Sequence, residues 1–166
     1  GSGARVQLLG SGTILREVLA AAQMLEQDWQ VAADVWSVTS FTELRREGLD
    51  VEREGLLNPA AAKTNLPYVT RLLADTKGPV VAATDYMKLF ADQIRPFMPR
   101  DRIYRVLGTD GFGRSDFRTR LREHFEVDRR FVTLAALRCL VDQGDLPAEQ
   151  LVKAIDRYQI DPSKPN

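Results

Sequence analysis

Ile103-Tyr-Arg-Val-Leu-Gly-Thr-Asp-Gly-Phe-Gly-Arg-Ser-Asp116 decides the fold class of this chain. The apolar run from Ile103 to Leu107 predicts a short strand. Two glycines and a Ser/Asp pair directly beyond it predict a tight strand-to-helix turn in which Ser115 or Asp116 caps the helix that follows. Such a turn stands at the carboxyl end of a strand, where open α/β sheets place their ligands or partners. Two shorter blocks repeat the design: Leu8-Leu-Gly-Ser-Gly-Thr13 near the start and Ala83-Thr-Asp85 in the middle.

Outward from that turn, strand and helix signals alternate. Arg5 to Leu9 predicts a strand stopped by Gly10, with Thr13 placed to cap the next segment. From there Ile14, Leu15, Val18, Leu19, Ala22, Leu25 and Trp29 recur at helical spacing, with Arg16, Glu17, Gln23 and Glu26 on the other side. Val31 to Val38 predicts a second strand. Ser40 is placed to cap a helix through Phe41 to Arg46, with Glu43 completing a capping box and Gly48 closing the helix. Leu49 to Pro67 reads as irregular, with Asn58-Pro59 breaking any helix that begins at Val51. Pro67 opens a helix through Leu73, and Gly78 to Ala83, having no polar face, predicts a central parallel strand. Tyr86 to Ile94 predicts a helix with Met87, Phe90 and Ile94 on one face, ended by Pro96. Three more helices are predicted over Asp116 to Phe125, Asp128 to Gln143 and Pro147 to Tyr158, with Gly144 as a stop. The pattern predicts an α/β fold, a three-layer α/β/α arrangement with a mostly parallel sheet of about four to five strands and right-handed crossovers.

Composition narrows the function classes. With 23 basic and 23 acidic residues the formal net charge is zero, which argues against a broad electrostatic nucleic-acid platform. Cys139 is the single cysteine, so an intrachain disulfide and a cysteine-rich metal site are excluded. His124 is the single histidine, and any Ser-His-Asp or Cys-His mechanism would have to use it. No apolar run approaches the ~20 residues needed to span a bilayer, and the start lacks the shape of a secretory signal, so the expected location is cytoplasmic, with no membrane partner. Gly1-Ser2-Gly3, without Met, reads as a cloning remnant, leaving 4–166 as a single α/β domain excised from a longer parent.

The candidate sites each admit a plain alternative. Gly10-Ser11-Gly12 invites a phosphate-binding reading, but it lacks the Lys and Ser/Thr of a P-loop, and the dinucleotide pattern fails at Leu15; a structural turn is the favoured reading. Asp110, Gly111, Phe112, Gly113, Arg114, Ser115 and Asp116 form either a capped turn in which Arg114 pairs with Asp110 or Asp116, or a polar rim facing a neighbouring domain or subunit. Residue chemistry leaves those two readings level, and neither gives Ser115 an activating base. His124 reads as a helix-terminal residue favoured by the dipole. Arg118, Arg120, Arg122, Arg129 and Arg130, interrupted by Glu123, Glu126 and Asp128, read as a mixed-charge face or as a contact for an acidic partner. Cys139 reads as a buried filler, and Trp29, Trp36 and Phe41 as core.

Taken together, Val6 to Arg16, Ser37 to Leu44, Thr84 to Ala91, Gln93 to Pro96, Tyr104 to Asp116 and Phe125 to Asp128 resemble, in the same order, the carboxyl-terminal domain of the homodimeric bacterial pyruvate dehydrogenase first component. The resemblance covers the chain after its first three residues and implies a transketolase C-terminal-like fold. It implies a parent that uses thiamin diphosphate and magnesium, held by two preceding domains, to decarboxylate pyruvate and acetylate the lipoyl group of dihydrolipoyl acetyltransferase. The Gly-Asp-Gly…Asn metal motif of the cofactor domain is missing here, so neither cofactor nor metal is expected on this piece, and no catalytic residue is carried over. Its implied partners are the other domains of the same chain, a homodimer mate and the acetyltransferase, and its implied role is domain packing and dimer assembly. Asp110 to Asp116 is carried over as the interface loop. The family also has an antiparallel first strand, which would lie upstream of Ala4. Glu54-Gly55, Asn58 and Phe117 depart from the family pattern. Two other classes stay open on the residues: a free-standing α/β module for a phosphorylated ligand, and a regulatory domain using Arg118 to Arg130.

Overall fold

Four strands, β1 (Arg5–Gly10), β2 (Ala32–Ser37), β3 (Val80–Ala83) and β4 (Tyr104–Leu107), pair in parallel in the order β2-β1-β3-β4 in a computed structural model that describes residues 3–85, 87–109 and 127–163. Register is set by Leu8 beside Val35 and Val81, and by Val81 beside Arg105. The first connection runs from β1 to β2 on one side, and the next returns past β1 to β3. The order therefore reverses between β1 and β3, at the centre of the sheet.

One face is covered by α1 (Leu15–Trp29), α5 (Arg129–Asp142) and α6 (Glu149–Arg157). Val6, Leu8, Val81 and Ala83 of the sheet meet Val18, Ala21 and Leu25 of α1 and Val132, Ala136 and Leu140 of α5. Full burial of each large aliphatic side chain here contributes about 1.5–3 kcal/mol. Helix α5 is buried on more than one side because it lies between the sheet, α1 and α6. The other face carries α2 (Phe41–Leu57), α3 (Tyr68–Ala74) and α4 (Lys88–Asp92) over Leu9, Val80, Ala82 and Tyr104, with Phe41, Leu73, Ala91, Ile94 and Phe97 between them. The three-layer α/β/α arrangement stands, with four strands, all parallel, among the described residues.

Several local readings need correction. Leu19, placed on the apolar side of α1, is half exposed, while Ala21 takes the core position; Glu17, placed on the polar side, is buried. Thr13 does not cap α1, which begins without a side-chain cap. Ser40 does cap α2, its Oγ accepting from the Glu43 amide at 3.1 Å, but the Glu43 carboxylate turns to Arg46, so the box is half formed. Gly48 does not end α2; the helix runs on to Leu57, so most of the stretch read as irregular up to Asn58 is helical. A Cβ at Gly48 would lie 2.7 Å from the Phe97 ring, so glycine is there for close approach of α2 to that ring. Asn58 then ends the helix as expected. The helix read over Tyr86 to Ile94 is shorter, Lys88 to Asp92, and Pro96 sits inside a separate 3₁₀ turn, Arg95–Phe97. Ile94 is buried, whereas Met87 and Phe90 are 38% and 39% exposed, because so short a helix presents little of itself to the sheet. Asp128 caps α5 through the amides of Arg130 and Phe131. No helix among the described residues is long and apolar enough to cross a membrane.

Candidate functional site

In a sheet of this order a ligand crevice would open beyond the carboxyl ends of β1 and β3, where the crossovers diverge. The turn Gly10 to Thr13 follows β1, and Thr84-Asp85 follows β3. Here the two turns are laced to each other. Ser11 Oγ donates to Thr84 Oγ1 at 3.0 Å, and both residues are buried. Thr13 Oγ1 donates to the Asp85 carboxylate. Thr109, just past β4, donates its hydroxyl to the Asp85 carbonyl at 2.6 Å, and the Thr84 amide donates to the Leu107 carbonyl at 3.0 Å. On the other side the Val38 amide donates to the Gly10 carbonyl at 2.8 Å. The hydroxyls that suggested an anion cradle are thus engaged within the fold, and the Gly10-Ser11-Gly12 bend acts as a structural turn.

Beside this lacing an open cleft of ≈ 240 Å³ is lined by Ser11, Thr39, Ser40, Phe41, Thr42 and Phe90. It offers hydroxyls and two aromatic rings. A larger groove of ≈ 550 Å³ runs between the end of β2 and helices α2 and α3, floored by Leu9, Trp36, Val69 and Leu73. Its rim carries the exposed Arg46–Glu43 pair at 2.5 Å, in which the Arg46 guanidinium lowers the Glu43 pKa and the carboxylate raises that of Arg46. Glu47, also on the rim, accepts from the Tyr68 amide at 3.0 Å and so caps α3. Neither depression brings a nucleophile to a base. Cys139 is buried, and burial pushes its thiol pKa up, which keeps it in the unreactive protonated form.

The remaining sequence candidates divide. Asp110 to Asp116, Arg118, Arg120, Arg122 and His124 lie outside the described residues. Arg129 and Arg130, the end of the basic stretch, are drawn into internal pairs. Glu17 Oε2 accepts from the Arg129 amide at 3.0 Å and from its Nε at 2.8 Å, and Asp128 Oδ2 accepts from Arg130 Nη2 at 2.9 Å. Among the described residues, the buried polar groups that escaped the sequence reading include Glu17 and Gln7. Glu17 ties α1 to the start of α5. Gln7, fully buried in β1, donates to Asp34 at 2.7 Å and to the Lys77 carbonyl at 3.0 Å, and accepts from Trp36 Nε1 at 2.8 Å. The only advance signal for Gln7 was a polar residue in an otherwise apolar run.

No group of three or more His, Cys, Asp or Glu side chains placed to hold a metal exists among the described residues. The Ser11 and Thr13 hydroxyls of the turn after β1 are bonded within the fold and are not offered to a diphosphate.

The model of the transketolase-like TK C-terminal domain matches residues 2–128. The chain is 57% identical over 98% of its length to a pyruvate dehydrogenase E1 component of Cupriavidus necator. It is 57% identical over 97% of its length to that of Pseudomonas aeruginosa and 52% identical over its whole length to that of Escherichia coli K12. It spans 18% of the length of each of these relatives. Among solved structures, a split-gene transketolase described as an inactive β4 tetramer superposes with a TM-score of 0.54 at 19% identity, over 84% of this chain and 40% of that one. That likeness speaks to the fold alone.

Proposed function

Because this chain belongs to the transketolase-like TK C-terminal domain family and is homologous to one region of pyruvate dehydrogenase E1 components, we propose that it is the assembly-supporting C-terminal domain of such an enzyme. The parent would decarboxylate pyruvate in the cytoplasm with thiamin diphosphate and magnesium and pass the acetyl group to the lipoyl group of dihydrolipoyl acetyltransferase. Cofactor and metal would be held by the other domains. The observation that carries this reading is near-complete coverage of the chain at 57% identity by proteins of which it is 18%.

The geometry supports a packing role. The strand tips hold no nucleophile-base pair among the described residues; the Ser11 hydroxyl is bonded to that of Thr84 and the Thr13 hydroxyl to the Asp85 carboxylate. Asp110 to Asp116 is proposed as the loop facing neighbouring domains or the dimer mate, on the strength of its motif. The test is pyruvate-dependent reductive acetylation with thiamin diphosphate, magnesium and a lipoylated acceptor. The chain alone should give no turnover, and the parent deleted of these residues should lose dimer stability together with activity. Turnover by the chain alone would refute the assignment.

A further inference from the structure

Helix α4 is five residues long and gives the core a single fully buried side chain, Ala91. Its larger apolar side chains turn outward instead. Leu89 is 55% exposed, and Met87 and Phe90 are each more than a third exposed. The neighbouring helix continues the pattern. Thr42, which lines the open cleft together with Phe90, stands seven residues before Leu49 and fourteen before Leu56, so the three share one side of α2 at two-turn intervals. Leu49 is 42% exposed and Leu56 82%. Five large apolar side chains on two adjacent helices thus leave on the order of 500 Å² of apolar surface open to water, the size of patch that marks a protein contact. Between the helices the cleft of ≈ 240 Å³, walled by Phe41 and Phe90, has room for one apolar side chain from outside.

We propose that this face, α4 with the adjoining side of α2, is where the domain docks on another domain of the same parent polypeptide, which inserts an apolar side chain between Phe41 and Phe90. This rests on the reading that the chain is one domain of a larger enzyme. Area selects the occupant. A stable contact between separate molecules takes roughly 800 Å² from each partner, more than this face supplies. Domains of one chain hold together over roughly 600–1,500 Å² in total, because tethering supplies the effective concentration. The chain is 18% of the length of each of its relatives, so most of the polypeptide in those proteins lies elsewhere. The lacing at the strand tips adds a second argument. Thr109 Oγ1 donates to the Asp85 carbonyl at 2.6 Å, so the point from which Asp110 departs is fastened two residues before Met87. The loop proposed above as an interface is therefore rooted at the margin of the same face.

The test is made on the full-length parent. With p-benzoylphenylalanine in place of Leu89, irradiation should join position 89 to a peptide from the preceding domains of the same subunit, giving a product of one subunit's mass. In a milder second series, Leu89→Cys and Leu49→Cys should react with a maleimide about tenfold or more slowly in the parent than in the 166-residue chain. Val152→Cys, at an exposed position of α6 across the sheet, should react equally fast in both. A cross-linked product of two subunits' mass assigns the face to the dimer mate, and a link to residues 110–126 assigns it to this domain itself; either overturns the proposal. So do equal rates at positions 49 and 89 in parent and chain, or protection at Val152→Cys as strong as at Leu89→Cys, since protection then is no property of this face. The underlying reading is scored separately, by pyruvate-dependent reductive acetylation with the unaltered parent. An active parent with no link from position 89 overturns this inference alone, and a parent without that activity overturns the reading beneath it.

Discussion

The tips of β1 and β3 and the outer edge of β2 belong to one sheet but treat their polar groups in opposite ways. At the tips, where doubly wound sheets open a crevice, Ser11, Thr13, Thr84, Asp85 and Thr109 satisfy one another across the gap. Along β2, the N–H and C=O groups of Ala33, Val35 and Ser37 face outward without a strand among the described residues. Burial explains the asymmetry. An unpaired group in the buried crevice would cost about 1–3 kcal/mol, whereas water can serve an edge. The crevice at the strand tips is therefore internally closed.

The largest effect should come from removing the frame on which both regions depend. Gly78, at the foot of β3, has φ +91°, and a Cβ there would fall 1.7 Å from the Arg5 carbonyl oxygen of β1. Gly78→Ala must push β3 away from β1 and adopt an unfavourable backbone as well, at a cost of about 3 kcal/mol or more. Denaturant unfolding should show this as a lower midpoint, and a loss under about 1 kcal/mol would show that β1 and β3 can slide apart freely. Next in size is Gln7→Leu, which strips partners from Trp36 Nε1, the Lys77 carbonyl and Asp34 together. A loss of about 2–3 kcal/mol is expected by the same measurement. An unchanged midpoint would mean that the β1–β2 half is held by its apolar face alone.

How much of this was legible beforehand differs between the two regions. The apolar runs of β1 and β3 and the glycine bends announced a parallel sheet and its tips, because those signals are local. Whether the Ser11 hydroxyl would meet a ligand or Thr84 was not legible, since the two are 73 residues apart and meet only through strand order. The place of β2 in the sheet was illegible for the same reason: nothing in Ala32 to Ser37 says that, among the described strands, it pairs with β1 alone. Gly48 misled because a glycine in a helical pattern reads as a stop, while its actual reason, the Phe97 ring, lies on another element. Glu17 misled likewise, since a single-helix periodicity assigns a carboxylate to solvent when its partner Arg129 sits on α5. Of the candidate site, Asp110 to Asp116 was chosen by motif and lies outside the described residues.

A finer probe of the closed crevice is the Ser11–Thr84 pair. Ser11→Ala and Thr84→Val each remove one hydroxyl from a buried pair and leave the other without it, so each should cost about 1 kcal/mol. The double variant should cost less than their sum, because the one bond between them can be lost only once. Strict additivity in unfolding experiments would mean that the two hydroxyls do not act as a pair. Reductive acetylation by a parent carrying both changes should stay near the unaltered rate at temperatures where the fold is intact. A rate loss without loss of stability would reopen the crevice as a chemical site.

The smallest effect concerns the place where β2 enters the sheet. Just before β2, at the end of α1, Trp29 Nε1 donates to Tyr158 Oη at 2.8 Å, and the Tyr158 hydroxyl donates to Asp28 at 2.7 Å, which fastens the end of α6 to the end of α1. Partial burial, and then the bond to Asp28, raise the Tyr158 pKa from 10 to about 12. The fold thus holds the phenol proton more tightly than the unfolded chain does. The stability tied to it is whole below pH 10 and is lost as pH rises through about 12. Tyr158→Phe removes that group, so the difference in melting temperature between the two proteins should be flat through neutral pH and shrink over that alkaline window. Tyr104, buried and with its pKa raised even further by desolvation, is present in both proteins and cancels in the comparison. Because Tyr158 is only half-buried, the change should be slight. A constant difference up to the top of the window would mean that the phenol titrates in the fold as it does in water, and that β2 enters the sheet without this anchor.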